Sequence, residues 1–324
     1  MNPSNDFIKR LIQYYKTHDT GNCLPIWTGP YHSLRKFLSE ENIAEIRNKL
    51  NTIYIDDLWG LDYNQINSWH LPPYEVCFDK CLNTISSELS LIPCTLPISD
   101  AHRLEIIKNI EKIENLDIKI PNFPNRPTHK VGDRDIPLRF LVCYHIFYCM
   151  RNNLKSVPKI GMEIGAGTGY LAYLFTKFYP TSKYYIIDLP IISVIQTYIY
   201  AFMNGEDKVW FHGEKENEAN LKIYSPDVID DIKVSVDFVI NHNSFPEIPR
   251  DVQAKYLNKM KNIFNIDSFF YSVNWEPKGS DQTPTNIACE DNGFIRTHRR
   301  YFALEGKVHE SEIEYFEELY KIKI

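Results

Sequence analysis

The sequence predicts an α/β protein, a doubly wound, Rossmann-like sheet preceded by a mainly helical region. Three observations predict it. A strand-like run over residues 159–164 leads into Gly165-Ala166-Gly167-Thr168-Gly169 and then into a helical pattern. Glycine lets a backbone turn sharply and lets a ligand approach where a Cβ would collide. A second apolar run, residues 183–187, follows after one helix length and is tipped by Asp188. Beyond it, helix and strand signals alternate as an open, mostly parallel sheet requires.

The elements follow in order. Residues 5–15 place Phe7, Ile8, Leu11 and Ile12 at helical spacing, and residues 40–50 do the same with Ile43, Ile46 and Leu50. Residues 74–91 and 99–116 read as two further helices, the second opened by Ser99 as N-cap. Pro121, Pro124 and Pro127 then interrupt regular structure, so residues 120–132 read as a linker or irregular loop before an apolar helix over 136–153. A boundary is expected near Ser156. Residues 1–155 would form the helical region, a substrate cap or an oligomerisation surface, and residues 156–324 the ligand-binding domain.

Within that domain the pattern predicts a helix over 170–179, a strand over 183–187, and a helix from Pro190, whose fixed φ suits a first turn, to about 203. A short third strand over 209–211, a fourth over 234–241, a helix over 249–264 and a fifth strand over 268–274 follow, with a late antiparallel strand over 299–304. Residues 213–231 are charged and poor in apolar positions, which predicts an exposed excursion, with Asp227, Asp230 and Asp231 as solvated acids rather than metal ligands.

Composition narrows the class of partner. A chain of 324 residues exceeds one minimal domain of this type, and 44% hydrophobic residues suffice for a folded core. The net charge of −6, with no run of five Lys or Arg, lacks the basic footprint of a nucleic-acid partner. Seven cysteines without a CxxC pair predict reduced, mostly buried thiols. Residues 1–20 lack the apolar core of a secretory signal. The most apolar segment, 140–150, is about half of the roughly 20 residues a membrane span needs. These features predict a cytoplasmic protein without membrane insertion.

The glycine spacing discriminates between ligands. A dinucleotide fingerprint wants a third glycine where this chain has Tyr170, and no Lys-Ser or Lys-Thr pair follows the turn to make a phosphate loop. What remains is Glu163 two places before the turn and Asp188 after the next strand, a pair suited to a cationic, ribose-bearing ligand. Asp188 would accept the ribose hydroxyls and Glu163 would face an ammonium or sulfonium. Glu163-Ile164-Gly165-Ala166-Gly167-Thr168-Gly169, with Asp188, resembles motif I and its acidic follower in class I S-adenosylmethionine-dependent methyltransferases. The resemblance implies their Rossmann-like fold and S-adenosyl-L-methionine as cofactor. Contacts are expected from Glu163, Gly165, Ala166, Gly167, Thr168, Gly169, Asp188 and Leu189, from Asn241 and His242, and from Trp210 and Phe211 beside the adenine ring.

Ligands of open α/β sheets sit beyond the carboxyl ends of the strands. The fourth strand runs into Asn241-His242-Asn243-Ser244-Phe245-Pro246-Glu247, which would lie beside the transferable methyl group. A hydroxyl acceptor is a weak nucleophile, and a positioned base helps by roughly 10²- to 10⁴-fold. His242 is the base expected by type and place, with Glu247 orienting it. Together with Tyr185-Ile186-Ile187-Asp188-Leu189-Pro190, these segments look like the sugar O-methyltransferases of bacterial surface-glycan clusters, over roughly residues 130 to 275. The resemblance implies methylation of a sugar hydroxyl in a nucleotide-sugar or a capsule or lipopolysaccharide precursor. The family's loop reads Asn-x-Asn-Ser-Phe and then x-Glu, so His242 falls at a variable place and Glu247 becomes a rival base.

Asp133, Arg134, Arg139 and His145, with Asn243 and Ser244, are expected to bind the acceptor; capping or ion-pairing at the helix start is the alternative for the first group. Trp275, Glu276 and Lys278, and Trp59, Tyr63 and Trp69 further upstream, are candidates for a sugar surface, with core packing the default for the aromatics. No metal is expected. Another small metabolite as acceptor, a phosphoramidate or an amine, and a non-catalytic binding protein that keeps the fold are the remaining readings.

Overall fold

The computed structural model describes residues 2–19, 32–53, 74–91, 96–118, 120–277, 282–302 and 314–323. The first part is helical: α1 Asn5–His18, α2 His32–Ser39, α3 Ile43–Asn51, α4 Tyr74–Glu88 and α5 Asp100–Glu114. Ser99 caps α5 as expected, its hydroxyl accepting the His102 N–H. The stretch expected as an irregular linker instead contributes β1 His129–Val131 to a hairpin with β2 Arg134–Ile136, turned by Gly132 at φ +63°. The apolar helix α6 Leu138–Arg151 follows.

The main sheet is built from β3 Ile160–Ile164, α7 Tyr170–Phe178, β4 Lys183–Ile187, α8 Pro190–Asn204, β5 Val209–Phe211, β6 Leu221–Tyr224, β7 Val236–His242, α9 Arg250–Ile263 and β8 Phe264–Trp275. It is completed by α10 Thr285–Asp291, β9 Phe294–Tyr301 and β10 Tyr315–Ile322. Its order is β5-β6-β4-β3-β7-β8-β10-β9, parallel as far as β8, with β10 antiparallel to both neighbours. The strand order turns back at β3, which places the switch point between β3 and β7. The fold is Rossmann-like.

Two strands depart from the sequence reading. The strand beside β4 is β6, in the stretch expected as an exposed excursion, and β5 is the outer strand beyond it. Leu221-Lys222-Ile223-Tyr224 is buried throughout, because Lys222 lays its ammonium over the Trp210 ring at 4.7 Å and donates to Glu216 and the Asn217 carbonyl. A lysine whose charge is satisfied this way can occupy a core strand. The late antiparallel strand runs over Phe294–Tyr301, earlier than expected, and β10 beyond it carries the buried acids Glu317 and Glu318. Arg300 and Arg296 on β9 pair with them at 2.6 and 2.7 Å.

Apolar packing covers both faces of the sheet. On one face a continuous core runs from Phe7, Leu11 and Tyr14 of α1 through α6, α7 and α8 to Phe238 and Ile240 of β7 and Tyr271 of β8. The other face buries Met162, Ile164, Val239 and Phe270 beneath Tyr256, Leu257 and Met260 of α9. Strands buried on both sides read as unbroken apolar runs, which is why β3 and β4 are so plain in the sequence. No described helix is long and apolar enough to cross a membrane.

Candidate functional site

The glycine turn lies at the switch point, where β3 hands over to α7. Gly165, Gly167 and Gly169 have φ of +70°, +54° and +79°, in the region that disfavours a side chain. Gly165 is held by a second constraint. A Cβ there would stand 2.2 Å from the Ser244 Oγ of the loop after β7, so the turn and that loop touch. The turn is tied to its neighbours by Gly165 N–H donating to the Ile187 carbonyl and Gly169 N–H donating to the Ala166 carbonyl, both at 2.9 Å. Thr168 is buried within it.

Asp188 closes the turn from the end of β4. One carboxylate oxygen accepts the Ala166 N–H and the other the Leu189 N–H, each at 2.8 Å. Burial pushes this carboxyl up to about 7, against the opposing pull of the Leu189, Ala166 and Gly167 amides. Three amides draw on the four lone-pair sites of the carboxylate, which leaves room for a ligand hydroxyl. Glu163 is deeper, 1% exposed on the α7 side of β3, and accepts from the Tyr184 hydroxyl at 3.0 Å. Burial raises it to about 8, and Arg139 at the start of α6 acts in the opposite direction.

The loop after β7 is fixed by amide chemistry. Asn241, fully buried, donates to the Ile164 carbonyl at 2.6 Å and to Ser244 Oγ at 2.7 Å, and accepts from Phe245 N–H and from Asn274 of β8. Asn274 in turn accepts the Ser244 N–H at 3.1 Å. Asn243 takes the left-handed conformation, φ +60°, a strain short polar residues bear best. Its N–H donates to the Val273 carbonyl. His242 is the last residue of β7, in register with Val273 and 6% exposed. Glu247 ends the 3₁₀ turn that follows, its N–H bonded to the Ser244 carbonyl.

Glu163, Gly165 to Gly169, Asp188, Asn241 and Ser244 are therefore drawn to one end of the sheet. Other expected residues are engaged elsewhere. Arg134 forms a two-pronged ion pair with Glu111 of α5 at 2.7 and 3.0 Å and also bonds Asp133, the helix-anchoring alternative of the sequence reading. His145 joins a buried polar cluster, its Nε2 3.6 Å from Cys149 Sγ and 3.9 Å from Glu88. Donor atoms of Glu88, His145 and Cys149 lie within 4.8 Å of one another, but Arg300 donates to Cys149 at 2.8 Å and to Glu88 at 2.9 Å, so a cation there meets a guanidinium. Phe211 packs under α1 against Tyr14 at 5.0 Å, and Trp210 donates to the Glu214 and Lys215 carbonyls. The residues that leave the sheet beside Asp188 are instead Ser225 and Asp227, after β6. Trp275 is half-buried against the core, and Glu276 pairs with Arg299 at 2.9 Å. Trp59, Tyr63, Trp69 and Lys278 lie outside the described residues.

No protein-family profile and no curated protein matches the chain. Several solved structures similar to it are described as methyltransferases. Geranyl diphosphate methyltransferase in complex with SAM is 10% identical, with 58% of this chain and 88% of that chain covered and a TM-score of 0.41. The glycopeptide N-methyltransferase MtfA is 12% identical, covering 57% and 90%, with a TM-score of 0.39. Human N-acetylserotonin methyltransferase in complex with SAM is 10% identical, covering 90% and 70%, with a TM-score of 0.36.

Proposed function

We propose that the chain is an S-adenosyl-L-methionine-dependent methyltransferase whose acceptor is a sugar hydroxyl, in a nucleotide-linked or surface-glycan precursor. One observation supports it above the rest: the positive-φ glycine turn, the Asp188 carboxylate and the Asn241–Ser244 loop converge at the carboxyl end of the sheet. In this reading Asp188 accepts the ribose hydroxyls, and the glycine turn lets the cofactor lie against the backbone. Glu163 is the proposed partner of the cofactor's cationic end, whose charge would favour the ionised form of a carboxyl that burial otherwise raises to about 8. The cofactor, when bound, provides an electrophilic methyl group on a sulfonium. The chain's part is to align the acceptor with that methyl, exclude water and take up the hydroxyl proton.

His242 is the proposed base, and Glu247 orients it or takes its place. Arg139, Asn243 and Ser244 are the proposed acceptor contacts nearest the cleft; Asp133, Arg134 and His145 belong to the region shaping its approach. Residues 1–155 act as a cap, and the enzyme works in the cytoplasm on a small molecule.

Calorimetry with S-adenosylhomocysteine tests the cofactor, with micromolar binding expected and loss of affinity in Asp188→Ala. Mass spectrometry over nucleotide sugars, amines and phosphoramidates then tests the acceptor. A methylated amine with no methylated sugar would replace the sugar reading. Absence of S-adenosylhomocysteine binding would end the methyltransferase reading.

A further inference from the structure

The carboxyl end of β6 meets a helix that sequence reading leaves without chemistry. Tyr14 and His18 stand one turn apart on α1, so they share a face, and their rings lie 4.8 Å apart. They are 2% and 4% exposed. His18 Nδ1 is 3.1 Å from Ser225 Oγ and 3.3 Å from Asp227, and Ser225 also bonds Asp227. The opposite ring nitrogen, Nε2, and the Tyr14 hydroxyl are both buried without a hydrogen-bond partner.

Buried polar atoms are nearly always partnered, and each orphan costs about 1 to 3 kcal/mol. Two orphans on adjoining rings, beside the two acids that end β4 and β6, therefore mark a place built for something polar. The electrostatics agree. Burial acts most strongly on the Tyr14 hydroxyl and disfavours its ionised form, the charges of Asp188 and Asp227 add to this, and the nearby Ser193 and Ser225 hydroxyls oppose it without reaching full hydrogen-bond geometry. A nucleoside suits this set of groups. Asp227 accepts from an exocyclic amine, while a phenol and an imidazole reach ring nitrogens or ribose hydroxyls.

We propose that α1 forms one wall of the nucleoside subsite, with the Tyr14 hydroxyl and His18 Nε2 bonding the adenosyl half of the ligand and Asp227, held by His18 and Ser225, reading its amine. The proposal rests on the cofactor reading above and adds to it a contribution from the helical region. Tyr14 and His18 then set cofactor affinity, and the acceptor chemistry at His242 is independent of them.

The test is calorimetry of the full-length chain with S-adenosylhomocysteine and, separately, adenosine. Tyr14→Phe deletes one oxygen and keeps the ring on Phe211. It is expected to weaken both ligands by about tenfold, the equivalent of one hydrogen bond, while the ligand-free melting temperature holds or rises. His18→Gln is expected to weaken both by a similar factor. Unchanged affinities in both variants, with binding by the parent chain intact, would overturn this inference and leave the cofactor reading standing. A parent chain that binds adenosine and not S-adenosylhomocysteine, with the variants weakened, would support the subsite and overturn the cofactor. A parent chain that binds neither would overturn both.

Discussion

At the scale of the residue, burial governs the chemistry. Glu163 titrates near 4.5 when exposed and about 8 in the fold, so the folded chain holds a proton that the unfolded chain has released. For an acid raised in this way, stability is lost as pH rises through the window between those values. Glu163→Gln mimics the protonated form and keeps the acceptor for Tyr184. Its denaturation midpoint should match the parent near pH 4 and exceed it above pH 8. Equal midpoints across the range would show that Glu163 is ionised at little cost. Asp188 follows the same sign between 3.8 and about 7, with a functional corollary. Only the ionised carboxylate offers both oxygens to ribose hydroxyls, so S-adenosylhomocysteine affinity should fall as pH drops through about 7, and the fall should vanish in Asp188→Asn. Gly165→Ala combines a left-handed backbone with a Cβ 2.2 Å from Ser244. About 2 to 4 kcal/mol of destabilisation is expected from denaturant unfolding, with loss of cofactor binding.

Elements were legible where the information they need is local. β4 and α8 begin where their patterns begin, because one is buried on both faces and the other opens on Pro190. β6 and β10 were missed because Lys222, Glu317 and Glu318 look solvent-directed until the Trp210 ring and the arginines of β9 are in place. The site divides in the same way. The contact of Gly165 with Ser244 follows from strand order, whereas Arg134 is diverted by Glu111, a partner on another element that no spacing rule reveals. Helix pairs carry similar non-local bonds. Asp79 of α4 bonds Arg103 of α5 through both oxygens, at 2.7 and 3.0 Å, and also accepts the Ile98 N–H. Asp79→Ala leaves the buried guanidinium with the exposed Asp100 as its remaining partner and should cost about 3 kcal/mol by urea titration. The double variant Asp79→Leu/Arg103→Met should recover much of that loss.

At the scale of the whole molecule, the helical region and the sheet share one apolar interior. Phe7 and Tyr14 of α1 pack on Phe211, Tyr198 of α8 bonds Asn51 at the end of α3, and Phe123 meets Tyr198 and Phe202. Interiors joined in this way unfold together, so calorimetry should record a single endotherm rather than one for each half. Two resolved transitions would mean that the shared packing is weaker than each part alone.

The outer strands of the sheet carry a further consequence. A strand with unpaired backbone groups invites a neighbouring molecule to extend it. On β5 the guanidinium of Arg10 takes the Val209 carbonyl at 2.7 Å, and Glu214 takes the Phe211 N–H at 3.2 Å, so α1 and its ion pair cover that margin. At the far margin β9 presents Arg296, His298, Arg299 and Arg300 along eight residues. The three arginines are each ion-paired within the fold, so this margin is guarded by bulky charged side chains whose pairs an added strand would have to disturb, and the β5 margin by direct cover.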